Sequence, residues 1–222
     1  MKVLVFDTET TGLPQRNGQG RSPSIYESHL WPHIIQLSYI LYDTNTHKML
    51  VNHDHVIKLS GDVEISEKSV EMHGITRERS IREGMDIQEA LELFHICMLS
   101  ADMVIAHNLA FDRQMILVEC IRNKRQGPFK FKTPEQFFCT MKSTVELCRI
   151  EAISKKNGEK YFKYPTMSEL HQHLFHETPQ NTHNSLVDIL ICLRCFVYII
   201  DGVDVRTKNR SFRTLYKSIC PV

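Results

Sequence analysis

The sequence has no long apolar stretch. Its longest, residues 189–200, is twelve residues and holds Arg194, against the ~20 residues a helix needs to cross a bilayer. The first six residues offer five apolar side chains before Asp7, too few for the core of a secretory leader. Cysteine is sparse, with seven in 222 residues at irregular spacing, unlike the dense framework of a small secreted scaffold. The expectation is therefore an intracellular protein of cytoplasm or nucleus, not secreted and not membrane-bound, with reduced thiols. No linker, repeat or low-complexity tract divides the chain. An excess of one charge sign is also missing: 27 Lys and Arg face 26 Asp and Glu, for a net charge of +1. That balance argues against a binder that relies on overall positive charge.

What is present, 42% hydrophobic and 24% charged residues, suits one globular unit with a sizeable core. Residues 2–6 (KVLVF) predict a first strand, followed by a turn-rich loop over 10–32. Residues 34–42 and 49–59 flank a polar DTNTHK turn and read as a hairpin. Helices are expected after Ser66, over 86–100 and over 110–122, with a short strand at 103–106 before the last of these. A strand at 136–139, a basic hairpin over 153–163 turning at Asn157-Gly158, and helices over 166–175 and 182–200 complete the pattern. Strands first, then alternating helix and strand, predict an α/β domain with a mixed sheet covered by helices. We divide it into a domain of residues 1–205 and a basic segment, 206–222, with five basic and no acidic residues, expected as a mobile tail or a late-docking helix.

Three acidic features stand out. Asp7 and Glu9 end the first strand two residues apart, so they project to one side. Paired carboxylates repel unless a cation lies between them, and hard Mg²⁺ or Mn²⁺ ions favour oxygen ligands. Alone, Asp-x-Glu is more simply a polar turn. Asp112 follows a buried strand and falls in the first turn of the next helix, where Asn108 or a neighbour would cap it. The helix dipole alone accounts for a carboxylate there. Asp188 is the most informative, because the helix behind it is apolar nearly all round and must be buried, so a cation is expected beside the acid. His183, five residues earlier, is placed on the loop before the helix, with Thr182 as the expected cap.

At these points the sequence resembles the DEDDh exonucleases, the proofreading-type branch of the ribonuclease-H-like superfamily. The likeness rests on Phe6-Asp7-Thr8-Glu9-Thr10-Thr11-Gly12, on Asn108-x-x-Phe111-Asp112, and on His183 five residues before Asp188. A further segment, Met72-His73-Gly74-Ile75-Thr76, is similar to the His-Gly-Ile-Thr of proofreading-like members. The chain departs in Ser185, where Ala is common, and in Cys139-Thr140, where Asp-Thr is frequent.

The resemblance implies a ribonuclease-H-like mixed five-stranded sheet with helices on both faces. It implies two Mg²⁺ or Mn²⁺ ions held by Asp7, Glu9, Asp112 and Asp188, with His183 as general base. It further implies a substrate pocket that includes the Thr10 and Thr11 amides, Asn108 and His73. The activity implied is 3′–5′ removal of 5′-mononucleotides from single-stranded or frayed DNA, with proofreading or repair as the task and a polymerase as a possible partner. RNA trimming on the same site, and an idle nucleic-acid or polymerase-binding module, are the alternatives.

The remaining features weigh less. Cys192-x-x-Cys195 with His171, His173 and His176 lacks a second matching pair and reads as buried thiols in a helix. Gly18 and Gly20 precede no Lys-Ser/Thr and form no phosphate loop. Basic residues between 122 and 132, and the lysines of the later hairpin among Tyr161, Phe162 and Tyr164, suit either a solvated surface or a rim that follows a phosphate backbone. Bound metal would offset the four acids, so near-neutrality is compatible with a nucleic-acid substrate.

Overall fold

In the computed structural model of the protein, which describes residues 1–220, the first strand β1 (Lys2–Thr10) lies at the centre of a five-stranded sheet. On one side it pairs antiparallel with β2 (Ile34–Asp43), which pairs antiparallel with β3 (Lys48–Val56). On the other it runs parallel to β4 (Met103–Ala106), and β4 runs parallel to β5 (Phe137–Cys139). The sheet order is β3-β2-β1-β4-β5, a mixed sheet as expected.

Helices α1 (Glu67–His73), α2 (Arg77–Glu83), α3 (Ile87–Ser100) and α4 (Leu109–Arg122) come from the first half of the chain. Short helices α5 (Thr140–Ser143) and α6 (Val145–Cys148) follow, then a separate hairpin of β6 (Glu151–Ile153) and β7 (Lys160–Phe162). The chain closes with α7 (Met167–Phe175), α8 (Ser185–Asp201), α9 (Val205–Lys208) and α10 (Arg210–Ile219).

The alternation of β1 builds two cores. Leu4 and Phe6 face one side, where with Leu37, Tyr39 and Leu41 they meet Phe94 and Met98 of α3 and Met115 of α4. Val3 and Val5 face the other, where with Ile40, Tyr42 and Ile105 they meet α8 and the Phe212 and Tyr216 side chains of α10. Helices thus cover both faces, and each fully buried Leu, Ile or Phe contributes ~1.5–3 kcal/mol. β1 reads as a continuous apolar run because neither of its faces meets water.

Several boundaries differ from those expected. β3 ends at Val56, and Ile57 makes only an isolated bridge to Met85. Helix α2 was not expected: its RERSIRE sequence has one apolar residue and no helical stripe, and it starts because the Thr76 side chain accepts from the Arg79 amide. Helix α8 begins at Ser185 and not at 182. Asn184 takes the cap, its carbonyl accepting from the Leu186 and Val187 amides, because His183 adopts a left-handed φ of 74° that no helix accommodates. Asn108 occupies the cap position of α4 without a side-chain cap bond, at φ 66°. The segment beyond residue 205 forms α9 and α10 and packs against α8.

Helix α8 is enclosed by the sheet, α7 and α10, and Arg194 within it is 1% exposed. Its guanidinium donates to Asp204 at 2.9 and 3.1 Å, to Glu177 at 2.8 Å and to His171 Nε2 at 2.6 Å, and lies 3.6 Å from the centre of the Phe175 ring. Burial, followed by the charge of Arg194, pushes His171 down to about 4, so its imidazole is neutral and Nε2 accepts. Replacing Arg194 by Met removes its charge-assisted hydrogen bonds while Glu177 and Asp204 keep Arg206 and His171 keeps the Tyr216 hydroxyl, and is expected to cost about 2 kcal/mol. The urea unfolding midpoint measures it, and a midpoint equal to wild type would show that the network is not a stabilising clamp.

Candidate active site

The end of β1 is where the two helical layers converge. Asp7 and Glu9 continue the Val3–Val5 face toward α8, and ligand oxygens of Asp7, Glu9 and Asp188 lie within 4.8 Å of one another. Asp112 arrives from the opposite layer on α4. Its Oδ1 accepts from the Thr8 amide at 3.0 Å and from the Thr8 hydroxyl at 2.8 Å, so the strand residue between the two acids fixes the third one. Asp188 Oδ2 accepts from the His183 amide at 3.0 Å, while its Oδ1 is buried with no partner among the described residues.

All four carboxyls sit well above the ordinary carboxylate range. Burial is the largest cause for Asp7, reinforced by the charges of Asp112, Asp188 and Glu9. Burial and then Asp188 and Asp112 push Glu9 up to about 8. Asp112 and Asp188 are pushed up to about 7 by burial, against the opposing hydrogen bonds from Thr8 and His183 respectively. A buried carboxylate oxygen without a donor, beside two more carboxylates, is the environment a hard divalent cation satisfies. An all-oxygen donor set suits Mg²⁺ or Mn²⁺. The residues present therefore fit the metal that the sequence implied, with Asp7, Glu9 and Asp188 as one ligand group and Asp112 close by.

His183 is exposed on the loop between α7 and α8 and shares a pocket of about 560 Å³ with Asp7, Glu9, Asn108, Asp112 and Asp188. All five chemical residues named from the sequence thus come together. Thr10, Thr11 and His73 fall in an adjoining groove of about 1190 Å³, and Thr8, Glu9 and Phe111 line both spaces. The Thr11 amide donates to the His33 carbonyl at 2.9 Å, so that amide is committed to the fold rather than free for a nucleotide. His73 is buried and its Nδ1 accepts from the Ile75 amide at 3.1 Å, which closes the end of α1. The next residue, Gly74, has a φ of 69°, a conformation glycine adopts without a Cβ penalty. The His-Gly-Ile-Thr segment therefore stops one helix, buries Ile75, and caps α2 through Thr76.

Two supporting sets were not read from the sequence. Ser185, at the start of α8, donates its amide to Gln36 Oε1 at 3.3 Å and shares a 2.5 Å hydrogen bond with Ser38. Gln36 and Ser38 each donate to Asp54 Oδ1 at 2.7 Å. Since the Ser38 hydrogen goes to Asp54, Ser185 donates to Ser38. Gln36 and Ser38 lie across from Glu9 and Asp7 in the sheet register, so this buried polar set fixes α8 against the strand that carries the acids. The signal was present: they are the two polar residues, two apart, in the otherwise apolar IIQLSYILY. The second set is His107, whose ring bonds Thr140 at 3.0 Å and the Pro165 carbonyl at 3.1 Å, tying the end of β4 to the loop before α7. Burial holds His107 down at about 4, so it is neutral.

The sequence matches the exonuclease family of RNase T type over residues 4–196. No curated protein sequence matches it significantly. Among solved structures, E. coli Exonuclease I in complex with a dT13 oligonucleotide aligns over 97% of this chain and 43% of its own, with 14% identity and a TM-score of 0.65. The nuclease domain of 3′hExo, a DEDDh family member bound to rAMP, aligns over 92% and 94%, with 13% identity and a TM-score of 0.63. A 3′-exonuclease that recognises the histone mRNA stem-loop aligns over 91% and 83%, with 13% identity and a TM-score of 0.62. The chain spans less than half the length of the Exonuclease I it matches. The fold is that of these exonuclease structures. The chain belongs to the exonuclease family.

The raised carboxyl values set a pH dependence. Metal-free folded protein holds protons that the unfolded chain has released between about pH 4 and the site values near 7 to 8. Stability from these groups therefore falls as pH rises through that window. Thermal unfolding is expected to show this decline without metal, and Mn²⁺ should raise the melting temperature more at about pH 8 than at about pH 5. Equal metal effects at both pH values would contradict the assignment.

Proposed function

We propose that this protein is a metal-dependent 3′–5′ exonuclease that removes 5′-mononucleotides one at a time from the 3′ end of single-stranded or frayed DNA. The observation that carries it is the meeting of Asp7, Glu9, Asp112, Asp188 and His183 in one open pocket. Asp7, Glu9 and Asp188 hold one divalent cation, and Asp7 with Asp112 helps hold a second. Cations so placed supply the charge that lowers the pKa of a bound water and stabilises the departing 3′ oxygen.

The chain's own groups do the rest. His183, on the exposed side of the pocket, takes the proton of the attacking water as its oxygen bonds to phosphorus, and the bond from phosphorus to the 3′ oxygen breaks. The leaving oxygen collects a proton from solvent. The amide that His183 donates to Asp188 couples the position of the base to that of the ligand acid. Thr8 prevents Asp112 from rotating away. Asn108 lines the same pocket, and Thr10 and His73 the adjoining groove where the terminal nucleotide is seated.

DNA is favoured by the first motif and the His-Gly-Ile-Thr segment, and proofreading or repair of DNA ends, alone or beside a polymerase, is the task this chemistry suits. Support for a nucleic-acid substrate comes from the related structures, of which one carries a dT13 oligonucleotide and another recognises an RNA stem-loop.

The test is release of labelled mononucleotide from 3′-labelled single-stranded DNA and RNA of equal sequence, with Mg²⁺ or EDTA. Release from DNA that EDTA abolishes is expected. Asp7→Asn should remove it, and His183→Ala should lower kcat by about 10²- to 10⁴-fold while Mn²⁺ still binds. Release from RNA alone would assign the chain to RNA trimming. Undiminished release by Asp7→Asn would refute the mechanism.

A further inference from the structure

We propose that the β6–β7 hairpin guides a single-stranded polynucleotide on the 5′ side of the scissile linkage, extending the substrate path beyond the catalytic pocket. This rests on the exonuclease reading above and names where the rest of the strand lies.

The hairpin pairs with no strand of the main sheet. A lone two-stranded hairpin is marginal in water, and apolar side chains on it would normally be turned inward. Here Ile153 is 66% exposed and Tyr161 52%, and Tyr164, just past β7, is 56% exposed. Charge narrows the choice of what covers them. Residues 149–164 hold five basic and two acidic side chains. Glu151 is paired with Lys160, and Glu159 accepts from Asn157. The side chains of Lys155 and Lys156 make neither an ion pair nor a hydrogen bond with any of the described residues, and they line a shallow cleft of about 650 Å³ with Ile153, Lys160 and Tyr161. Aromatic faces flanked by unpaired lysines match a flexible strand that offers bases and phosphates in turn.

Continuity with the site supplies the direction. Tyr164 lines the catalytic pocket together with Asp7 and His183. Tyr161 precedes it by three residues, at most about 11 Å along the chain. A base resting on Tyr164 therefore has its neighbour within reach of Tyr161, and the lysines at the hairpin tip meet phosphates further from the cut. Stacking of this kind changes affinity by roughly five- to a hundredfold per base, and each phosphate contact adds to the salt dependence.

The experiment is fluorescence anisotropy of a labelled single strand of about twelve thymidines in EDTA, where no turnover is needed. In Lys155→Glu/Lys156→Glu the Kd should rise about tenfold or more, and the slope of log Kd against log salt should flatten by about 1 or more. Tyr161→Ala should weaken binding at least about fivefold. If the charge-reversed protein melts earlier than wild type, the Lys155→Ala/Lys156→Ala pair replaces it, with the same slope change expected. An unchanged Kd and slope in a folded variant overturns the proposal. A wild-type dimer that Ile153→Asp dissolves would also overturn it, assigning this face to a second copy of the chain. Weakened binding in a protein that releases no nucleotide would keep the guide and reject the exonuclease reading, so the two fail separately.

Discussion

Four carboxylates at the end of one strand repel each other, and the structure is organised to hold them together regardless. Burial raises all four above the ordinary range, and the charge of neighbouring carboxyls adds to it for Asp7, Glu9 and Asp112, so the metal-free site is a source of strain that the rest of the fold must outweigh. The two cores on either side of β1 do so. Asp7 and Glu9 are placed by strand alternation, Asp112 by the helical layer on one face, and Asp188 by the layer on the other. Loss of either layer would release an acid, which is why the site needs the whole sheet.

The supporting polar groups follow the same logic. A carboxylate set this crowded would relax by small rotations, and for Asp112 and Asp188 a hydrogen bond blocks the rotation. Thr8 holds Asp112, and the His183 amide holds Asp188. The Asp54, Gln36, Ser38 and Ser185 set fixes the start of α8 behind Asp7 and Glu9. At its far end α8 is fixed by Arg194, whose partners Glu177 and Asp204 flank the helix in sequence. Glu177 begins the loop that leads to His183, so the buried ion network and the catalytic loop share a segment of chain. Asp188 Oδ1, buried without a donor among the described residues, marks where a cation would complete the site.

Much of this was legible in the sequence because it is local. The period of two puts Asp7 and Glu9 on one face, and an acid inside an otherwise apolar helix marks Asp188. A histidine five residues before that acid cannot share its face, which placed His183 on the loop. What was not legible depends on contacts between distant residues. Thr8 and Asp112 are 104 residues apart, and Gln36 and Ser185 are 149 apart. The start of α8 was misplaced because Thr182 and Asn184 are both good caps by type, and only the left-handed backbone at His183 decides between them. Helix α2 was missed because its packing uses Ser80, whose hydroxyl donates to the Ile57 carbonyl and accepts from the Leu59 amide, rather than an apolar stripe. The Thr11 amide is similar: a free donor by sequence, it is claimed by His33 across the loop.

Burial, reinforced by crowding, keeps protons on these carboxyls until a cation replaces them. Calorimetric titration with Mn²⁺ at about pH 7, in two buffers of different ionisation enthalpy, counts the protons released on binding. The account predicts release of about one proton or more, falling toward zero as pH rises past about 8. Tight binding with no proton release at about pH 7, or no binding at all, would contradict it.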